Sequence, residues 1–218
     1  MPCFNEVDTV VAAVEQIAAL RSKSDVEIIV VDDGSTDGSY EKLRKLQGIK
    51  LVRHVVNCGK GAAVATGAGL ATGDVIVIQD ADLEYDAGRI PSLVQPILSS
   101  KCDIVYGSRF KGKIERMTFS HFIGNKILSY FTTLLCGEAI TDVMTCQKAF
   151  RAEVFKSLNL DSPRFEFELE VTFEALRKGF KILEIPIPYS NRKFGESKIG
   201  WSDGFKTMLK LFRYRLGV

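Results

Sequence analysis

A chain of 218 residues is long enough to bury a full core, and most simply forms one domain with at most a small appendage. Its 29 basic and 27 acidic residues leave a formal net charge of +2, too small to imply nucleic acid as a partner. Five cysteines without paired spacing and only two histidines, His54 and His121, argue against a disulfide framework or a zinc site and suit reduced thiols in a cytosolic setting.

In chain order, Asn5 is placed to cap a helix in which Val7, Val10, Val11, Val14, Ile17 and Ala18 keep helical spacing. Residues 26–31 read as a buried strand that ends in Asp32-Asp33-Gly34-Ser35-Thr36-Asp37-Gly38-Ser39, a loop dense in turn formers feeding a helix over 40–46. A third β segment covers 49–53. Asn57-Cys58-Gly59-Lys60-Gly61 follows, opening an alanine- and glycine-rich helix to about Ala71 whose small residues imply close packing on a sheet. The apolar, β-branched run Val75-Ile76-Val77-Ile78 predicts a strand buried on both faces, as in a parallel sheet, leading into Gln79-Asp80-Ala81-Asp82-Leu83-Glu84. A helix over 90–99, with Pro91 near its start and Pro96 kinking it, precedes a strand over 103–106. Such alternation predicts an α/β fold, with a mostly parallel sheet covered by helices on both faces.

The second half changes character. Phe119, Phe122, Ile123, Ile127, Tyr130, Phe131, Leu134 and Leu135 form a wide apolar stripe at helical spacing, read either as core or as a membrane-interface face. Phe205, Met208, Leu209, Phe212 and Leu216 repeat the pattern among Lys206, Lys210, Arg213 and Arg215, the composition of a helix that holds anionic lipid or of a plain surface helix. No signal peptide and no apolar run long enough to span a bilayer is present, so membrane association is expected to be peripheral.

Several short patterns carry chemistry. Asp80 and Asp82, one residue apart at the carboxyl end of a buried strand, repel each other unless a cation neutralises them, and their hard oxygens suit Mg2+ or Mn2+. Glu84 is a further acid two residues on. Asp32 and Asp33 also follow a buried strand, where a carboxylate can form a turn or accept from the N–H edge of a nucleobase. Gly59-Lys60-Gly61 lets backbone N–H groups and one ammonium approach an anion, and Gly107-Ser108-Arg109 puts a guanidinium beyond another strand end, where it grips a phosphate or lies solvated. Asp142, after Thr141, either turns the chain or serves chemistry, and of the three acids Glu166, Glu168 and Glu170, two would ordinarily be solvated surface charges on a helix. Residues 186–198, with Arg192 and Lys198, form a basic loop able to close over a bound anion.

Taken in order, Pro2-Cys3-Phe4-Asn5-Glu6, Val31-Asp32-Asp33-Gly34-Ser35-Thr36-Asp37-Gly38-Ser39, Asn57-Cys58-Gly59-Lys60-Gly61, Asp80-Ala81-Asp82-Leu83-Glu84, Gly107-Ser108-Arg109 and the segment from Arg192 to Lys198 resemble glycosyltransferase family 2 over roughly residues 2–204. Thr141-Asp142, Lys148-Ala149-Phe150-Arg151 and Gly200-Trp201-Ser202-Asp203-Gly204 resemble its lipid-phosphate branch, the dolichyl-phosphate mannose synthases and bacterial polyprenyl-phosphate glucosyltransferases. The resemblance implies a GT-A fold in a single unit over 1–218, with a nucleotide-sugar half to about residue 110 and an acceptor half beyond. It implies that Pro2, Phe4, Glu6, Asp33, Lys60, Ala81 and Lys198 line the donor site. Asp80, Asp82 and Glu84 would hold Mg2+ or Mn2+ against the diphosphate. Arg109, Arg192 and Lys198 would face phosphates, Asp142 would lie beside the reacting sugar, and Glu168 and Glu170 would line the acceptor side. Family members place a β-branched strand before the position of Pro2, where only Met1 stands here, so the first strand is expected to be missing or truncated. Bacterial relatives often continue into two membrane helices beyond the point corresponding to Val218.

The activity so implied is inverting transfer of a hexose from UDP-glucose or GDP-mannose to polyprenyl phosphate, at the cytoplasmic face of a membrane. Nucleic acid is not an expected partner; a membrane subunit or a second copy of the chain is. A soluble or polysaccharide acceptor and a non-catalytic nucleotide-sugar-binding role are the alternatives.

Overall fold

The computed structural model describes residues 1–22 and 25–190. A first sheet has the order β1–β2–β3, all parallel, with β1 at Pro2–Cys3, β2 at Ile29–Asp32 and β3 at Lys50–Arg53. The second has the order β4–β7–β5–β8, built from β4 (Val75–Ile78), β7 (Lys148–Arg151), β5 (Ile104–Ser108) and β8 (Ile182–Pro186). β5 and β8 are parallel, and β7 runs antiparallel between β4 and β5. A small parallel pair joins β6 (Ile114–Arg116) to β9 (Tyr189–Ser190).

Strand period two divides the apolar residues between two helical layers. Val30 packs with Val10, Val14 and Ile17 of α1 (Val10–Ala18) and Leu43 of α2 (Ser39–Leu43). Its neighbours Ile29 and Val31 face Ala63 of α3 (Lys60–Leu70). In the second sheet Ile76 and Ile78 meet α3, α6 (Ala152–Ser157) and α7 (Phe167–Arg177), while Val75 and Val77 lie against Leu93 and Ile97 of α4 (Ile90–Leu98). Helices thus cover both faces, as the alternation requires. α5 (Phe119–Cys136) packs on α7 through Leu128 and Leu169.

The first strand is a two-residue stub, whose Pro2 and Cys3 are in register with Val31 and Asp32. Three differences from the sequence expectations have physical reasons. Asn5 does not cap α1, which starts at Val10 after Thr9. Asn5 takes a left-handed φ of 51° and its side-chain oxygen accepts from the Thr36 N–H, stitching the chain start to the 35–39 loop. β7 carries Lys148 and Arg151 in four residues, so no apolar run announces it. In α5 the stripe divides: Leu128, Ser129 and Thr132 are buried, whereas Phe119, Ile123, Ile127, Tyr130 and Leu134 face outward.

The glycines around Lys60 serve packing. A Cβ on Gly61 would stand 2.1 Å from the Ser162 carbonyl oxygen, and one on Gly59 would stand 2.4 Å from that of Pro163. The Ala62 N–H donates to Pro163 O at 3.0 Å, so the 162–164 backbone lies directly on the start of α3. The glycines on either side of Lys60 thus admit a neighbouring chain segment.

Candidate active site

The carboxyl ends of β2, β3, β4 and β5 bring Asp32, Asp33, Arg53, His54, Asp80, Asp82 and Arg109 to the ends of the sheets, where open α/β sheets bind ligands. Beyond β4 the chain turns sharply, with Leu83 at a left-handed φ of 61° and the Glu84 N–H donating to Asp82 Oδ1 at 3.1 Å. Backbone strain of this kind in a loop of acids fits a functional turn. Asp82 is buried, Asp80 half-buried, and the Ala81 side chain between them points into the core beside Cys3 and Val30. Asp80 Oδ2 meets the Lys60 ammonium at 2.9 Å; its Oδ1 is buried without a hydrogen-bond partner. Asp80, Asp82 and Glu84 do not gather into a three-ligand cluster. Glu84 Oε2 instead accepts from the Tyr189 hydroxyl at 3.1 Å. Among the described residues, the group with three potential ligand atoms within 4.8 Å is Asp33, His54 and Cys58.

Lys60 joins this loop to the second half of the chain. Its ammonium also lies 2.8 Å from Glu168 Oε1, and the other Glu168 oxygen accepts from Lys148. Lys148 is fully buried and donates further to the carbonyls of Val143 (3.0 Å) and Thr145 (2.8 Å), with the Tyr106 ring 4.9 Å away. Burial opposes the charge on Lys60, but Asp80 and Glu168 outweigh it and hold the ammonium well above the usual lysine range. Burial likewise works to raise Glu168, yet Lys148 and Lys60 bring its carboxyl below the ordinary value. Cys146 lies in the same region, and burial, reinforced by Asp80, pushes its thiol well up, so it stays protonated.

Asp142 and Arg109 meet each other. The guanidinium donates from Nε to Asp142 Oδ2 at 2.8 Å and from Nη2 to Oδ1 at 2.7 Å, and the Arg109 backbone N–H adds a third bond at 2.9 Å. Both side chains are buried. With both oxygens engaged and the side chain buried, Asp142 clamps Arg109, an orienting arrangement. Glu184, which sequence reasoning missed, accepts from the N–H groups of Thr141 and Asp142, each at 3.0 Å, and so holds the clamp in place. Its signal, one acid in an apolar strand, was too weak to read. The Tyr189 ring lies 5.2 Å from the Arg109 guanidinium, on the side of Glu84. Glu170, expected on the acceptor side, accepts from the Asp161 and Ser162 N–H groups and fixes the loop that lies on Gly61.

At the other end of the site the two neighbouring aspartates differ. Asp33 Oδ1 lies 2.6 Å from His54 Nδ1 and accepts from the Cys58 N–H at 2.9 Å, while Oδ2 accepts from Gly59 N–H at 2.7 Å. Asp33, expected to hold a nucleobase, therefore spends its acceptors on the protein. Asp32 is 0% exposed and has no hydrogen bond on either oxygen; it pairs with Arg53, whose Nε lies 3.3 Å from Oδ2 and whose guanidinium covers the Tyr40 ring. A buried carboxylate with open acceptors is the better candidate for a ligand N–H. Pro2, Phe4 and Glu6 are half-buried beside this end, with the Asn5 and Glu6 N–H groups donating to Ser35 and Ser39 hydroxyls. Arg192 and Lys198 lie outside the described residues.

Comparison with known proteins gives a consistent picture. The family model described as glycosyl transferase family 2 matches residues 1–158. An uncharacterised protein of Methanocaldococcus jannaschii is 31% identical, over 99% of this chain and 90% of its own length. A dolichol-phosphate mannosyltransferase of Pyrococcus furiosus is 30% identical over 98% of this chain, which spans 62% of that protein. An undecaprenyl-phosphate mannosyltransferase of Micrococcus luteus is 28% identical over 91% of this chain. Among solved structures, glucosyl-3-phosphoglycerate synthase from Mycobacterium tuberculosis, in complex with Mn2+, UDP and phosphoglyceric acid, has a TM-score of 0.78 at 19% identity, covering 100% of this chain and 77% of that one. The fold is that of the GT-A glycosyltransferases.

Proposed function

The chain belongs to glycosyltransferase family 2, and from that premise we propose that it transfers a hexose from a nucleoside-diphosphate sugar to polyprenyl phosphate at the cytoplasmic face of a membrane. Residues to about 110 take the donor and the later residues take the acceptor. The names of the Pyrococcus and Micrococcus relatives support the lipid acceptor. The observation that carries it is the outward face of α5, where Phe119 is 79%, Tyr130 65% and Leu134 63% exposed, with Ile123 and Ile127 between them. α5 contains no acidic residue and one lysine, Lys126. No helix among the described residues is long and apolar enough to cross a membrane, so this face would lie on the lipid surface and bring the site to a greasy anion.

Asp80 and Asp82 fit a hard divalent ion, because both offer carboxylate oxygens and Asp80 Oδ1 is buried without a partner. Mg2+ or Mn2+ held there would offset charge on the departing diphosphate. Asp32 receives a base N–H, with Pro2, Phe4 and Glu6 at the rim. Arg109, fixed by Asp142, binds a phosphate, and Arg192 and Lys198 serve the same charge. The acceptor oxygen is anionic near neutral pH and needs alignment and desolvation more than a base, in keeping with the enclosure of Asp142. Attack opposite the leaving diphosphate inverts the anomeric centre.

The test offers UDP-glucose and GDP-mannose, with Mg2+ or Mn2+, to the protein with polyprenyl phosphate in anionic vesicles or with phosphoglyceric acid in solution, and identifies products by mass. A glycolipid is expected. The triple substitution Ile123→Ser, Tyr130→Ser and Leu134→Ser should lower vesicle transfer at least about tenfold, since each apolar side chain removed from lipid forfeits roughly 1.5–3 kcal/mol. Turnover confined to the soluble acceptor would overturn the lipid reading.

The two aspartates of β2 and its loop are expected to separate in binding and stability. Asp32→Asn should weaken nucleotide affinity about 10–100-fold with little change in thermal midpoint, because it removes a charged acceptor of the ligand and no internal hydrogen bond. Asp33→Asn should lower the midpoint instead. Calorimetric titration with UDP and GDP, alongside thermal unfolding, reads both.

A further inference from the structure

The ligand atoms of Asp33, His54 and Cys58 meet within 4.8 Å. We propose that they form a second metal site, for a borderline-soft divalent ion such as Zn2+, separate from the hard-ion position at Asp80 and Asp82. The donor set is one carboxylate oxygen, one imidazole nitrogen and one thiolate, the mixed N, S and O set that zinc takes with a fourth position left to water. Sequence scarcity of histidine argued against zinc, but this site needs only one.

The surroundings prepare the ligands. His54 Nδ1 lies 2.6 Å from Asp33 Oδ1, and its other nitrogen, Nε2, lies 3.0 Å from the Thr66 hydroxyl. Without an ion, Nδ1–H donates to Asp33; binding an ion through Nδ1 moves the ring proton to Nε2, where the Thr66 hydroxyl accepts it, and an outer partner of this kind fixes tautomer and ring orientation in metal sites. Asp33 is anchored by the Cys58 and Gly59 N–H groups at 2.9 and 2.7 Å, so the carboxylate keeps its place and the imidazole, 2.6 Å from it, draws back to admit the ion. Cys58 is exposed on a surface loop with Val55 and Val56, giving an ion a route from solvent; its thiol donates to the Val56 carbonyl at 3.4 Å, a bond that the thiolate gives up on binding the ion. A carboxylate, a thiolate and a neutral imidazole carry two negative charges, which the ion cancels; the thiol proton leaves to solvent.

The experiment titrates the full chain with Zn2+ by calorimetry and with Co2+ by absorption spectroscopy, in the presence of saturating Mg2+ to fill the hard site. One equivalent of Zn2+ should bind, and Co2+ should give a thiolate-to-metal charge-transfer band in the near ultraviolet. Cys58→Ser should abolish the band, and His54→Gln should weaken Zn2+ binding at least about tenfold. Thermal midpoints without metal report folding: Cys58→Ser should match the parent, since the side chain is exposed. A band that survives Cys58→Ser, arising from one of the other four cysteines, would overturn the site, as would Zn2+ affinity equal in the parent and both variants. Neither nucleotide nor acceptor enters the measurement, so the result is independent of the transferase reading.

Discussion

Asp82→Asn should reduce sugar transfer on the order of 10³-fold while leaving the protein folded, comparable to losing a group that stabilises transition-state charge. The substitution keeps an oxygen to accept from the Glu84 N–H, so the turn through left-handed Leu83 survives, and only the negative charge is lost. The neighbouring Asp80 cannot compensate, because Lys60 already neutralises one of its oxygens at 2.9 Å. With a single remaining acid opposed by an ammonium, the loop loses its attraction for a divalent ion, and the diphosphate loses its counter-charge. The checks are single-turnover transfer and Mn2+-dependent UDP binding beside thermal unfolding. Parent-like rates would sink the assignment of this loop to the donor.

Glu168→Gln should destabilise the fold by about 3–5 kcal/mol, the usual cost of removing one partner from a buried ion group. Among the described residues Glu168 is the carboxylate that pairs with Lys148, and it shares Lys60 with Asp80; glutamine keeps the volume but leaves Lys148 buried and facing carbonyls without an anionic partner. For a chain of this size the midpoint should fall roughly 10 °C or more. The pH dependence has a definite sign. The folded-state pKa of Glu168 is lowered, so its contribution is complete above the ordinary glutamate value of 4.5 and is lost as pH falls through the lower folded value. The parent–variant difference in urea-unfolding free energy should therefore be largest near neutral pH and shrink in acid below that ordinary value. A difference that stays constant across that range would show that the ion group is not its source.

Much of the donor half was legible in the chain. Strands over 26–31, 49–53 and 75–79 appear within a few residues of β2, β3 and β4, because each is a short apolar run bounded by turn formers. The acids after β2 and β4 stand at the strand ends where they were expected. The second half was less readable. β7 contains a buried lysine, and the face of α5 that packs inward includes Ser129 and Thr132 while the larger apolar residues point out. Local hydrophobic pattern assigns a buried lysine to the surface and a phenylalanine to the core, and each assignment fails where a partner across the fold decides.

The sequence by itself determined the family, the strand–helix alternation and the acidic turn after β4, since these follow from patterns within ten or so residues. Only the tertiary structure decided which acids are open to a ligand. Asp33 is reached by His54 and two backbone N–H groups, Asp142 by Arg109 and Glu168 by two lysines, whereas Asp32 and one oxygen of Asp80 have no hydrogen bond. An aspartate's chemistry depends on which donors reach its oxygens, and those donors come from segments 20 or more residues away, brought together only when the sheets close.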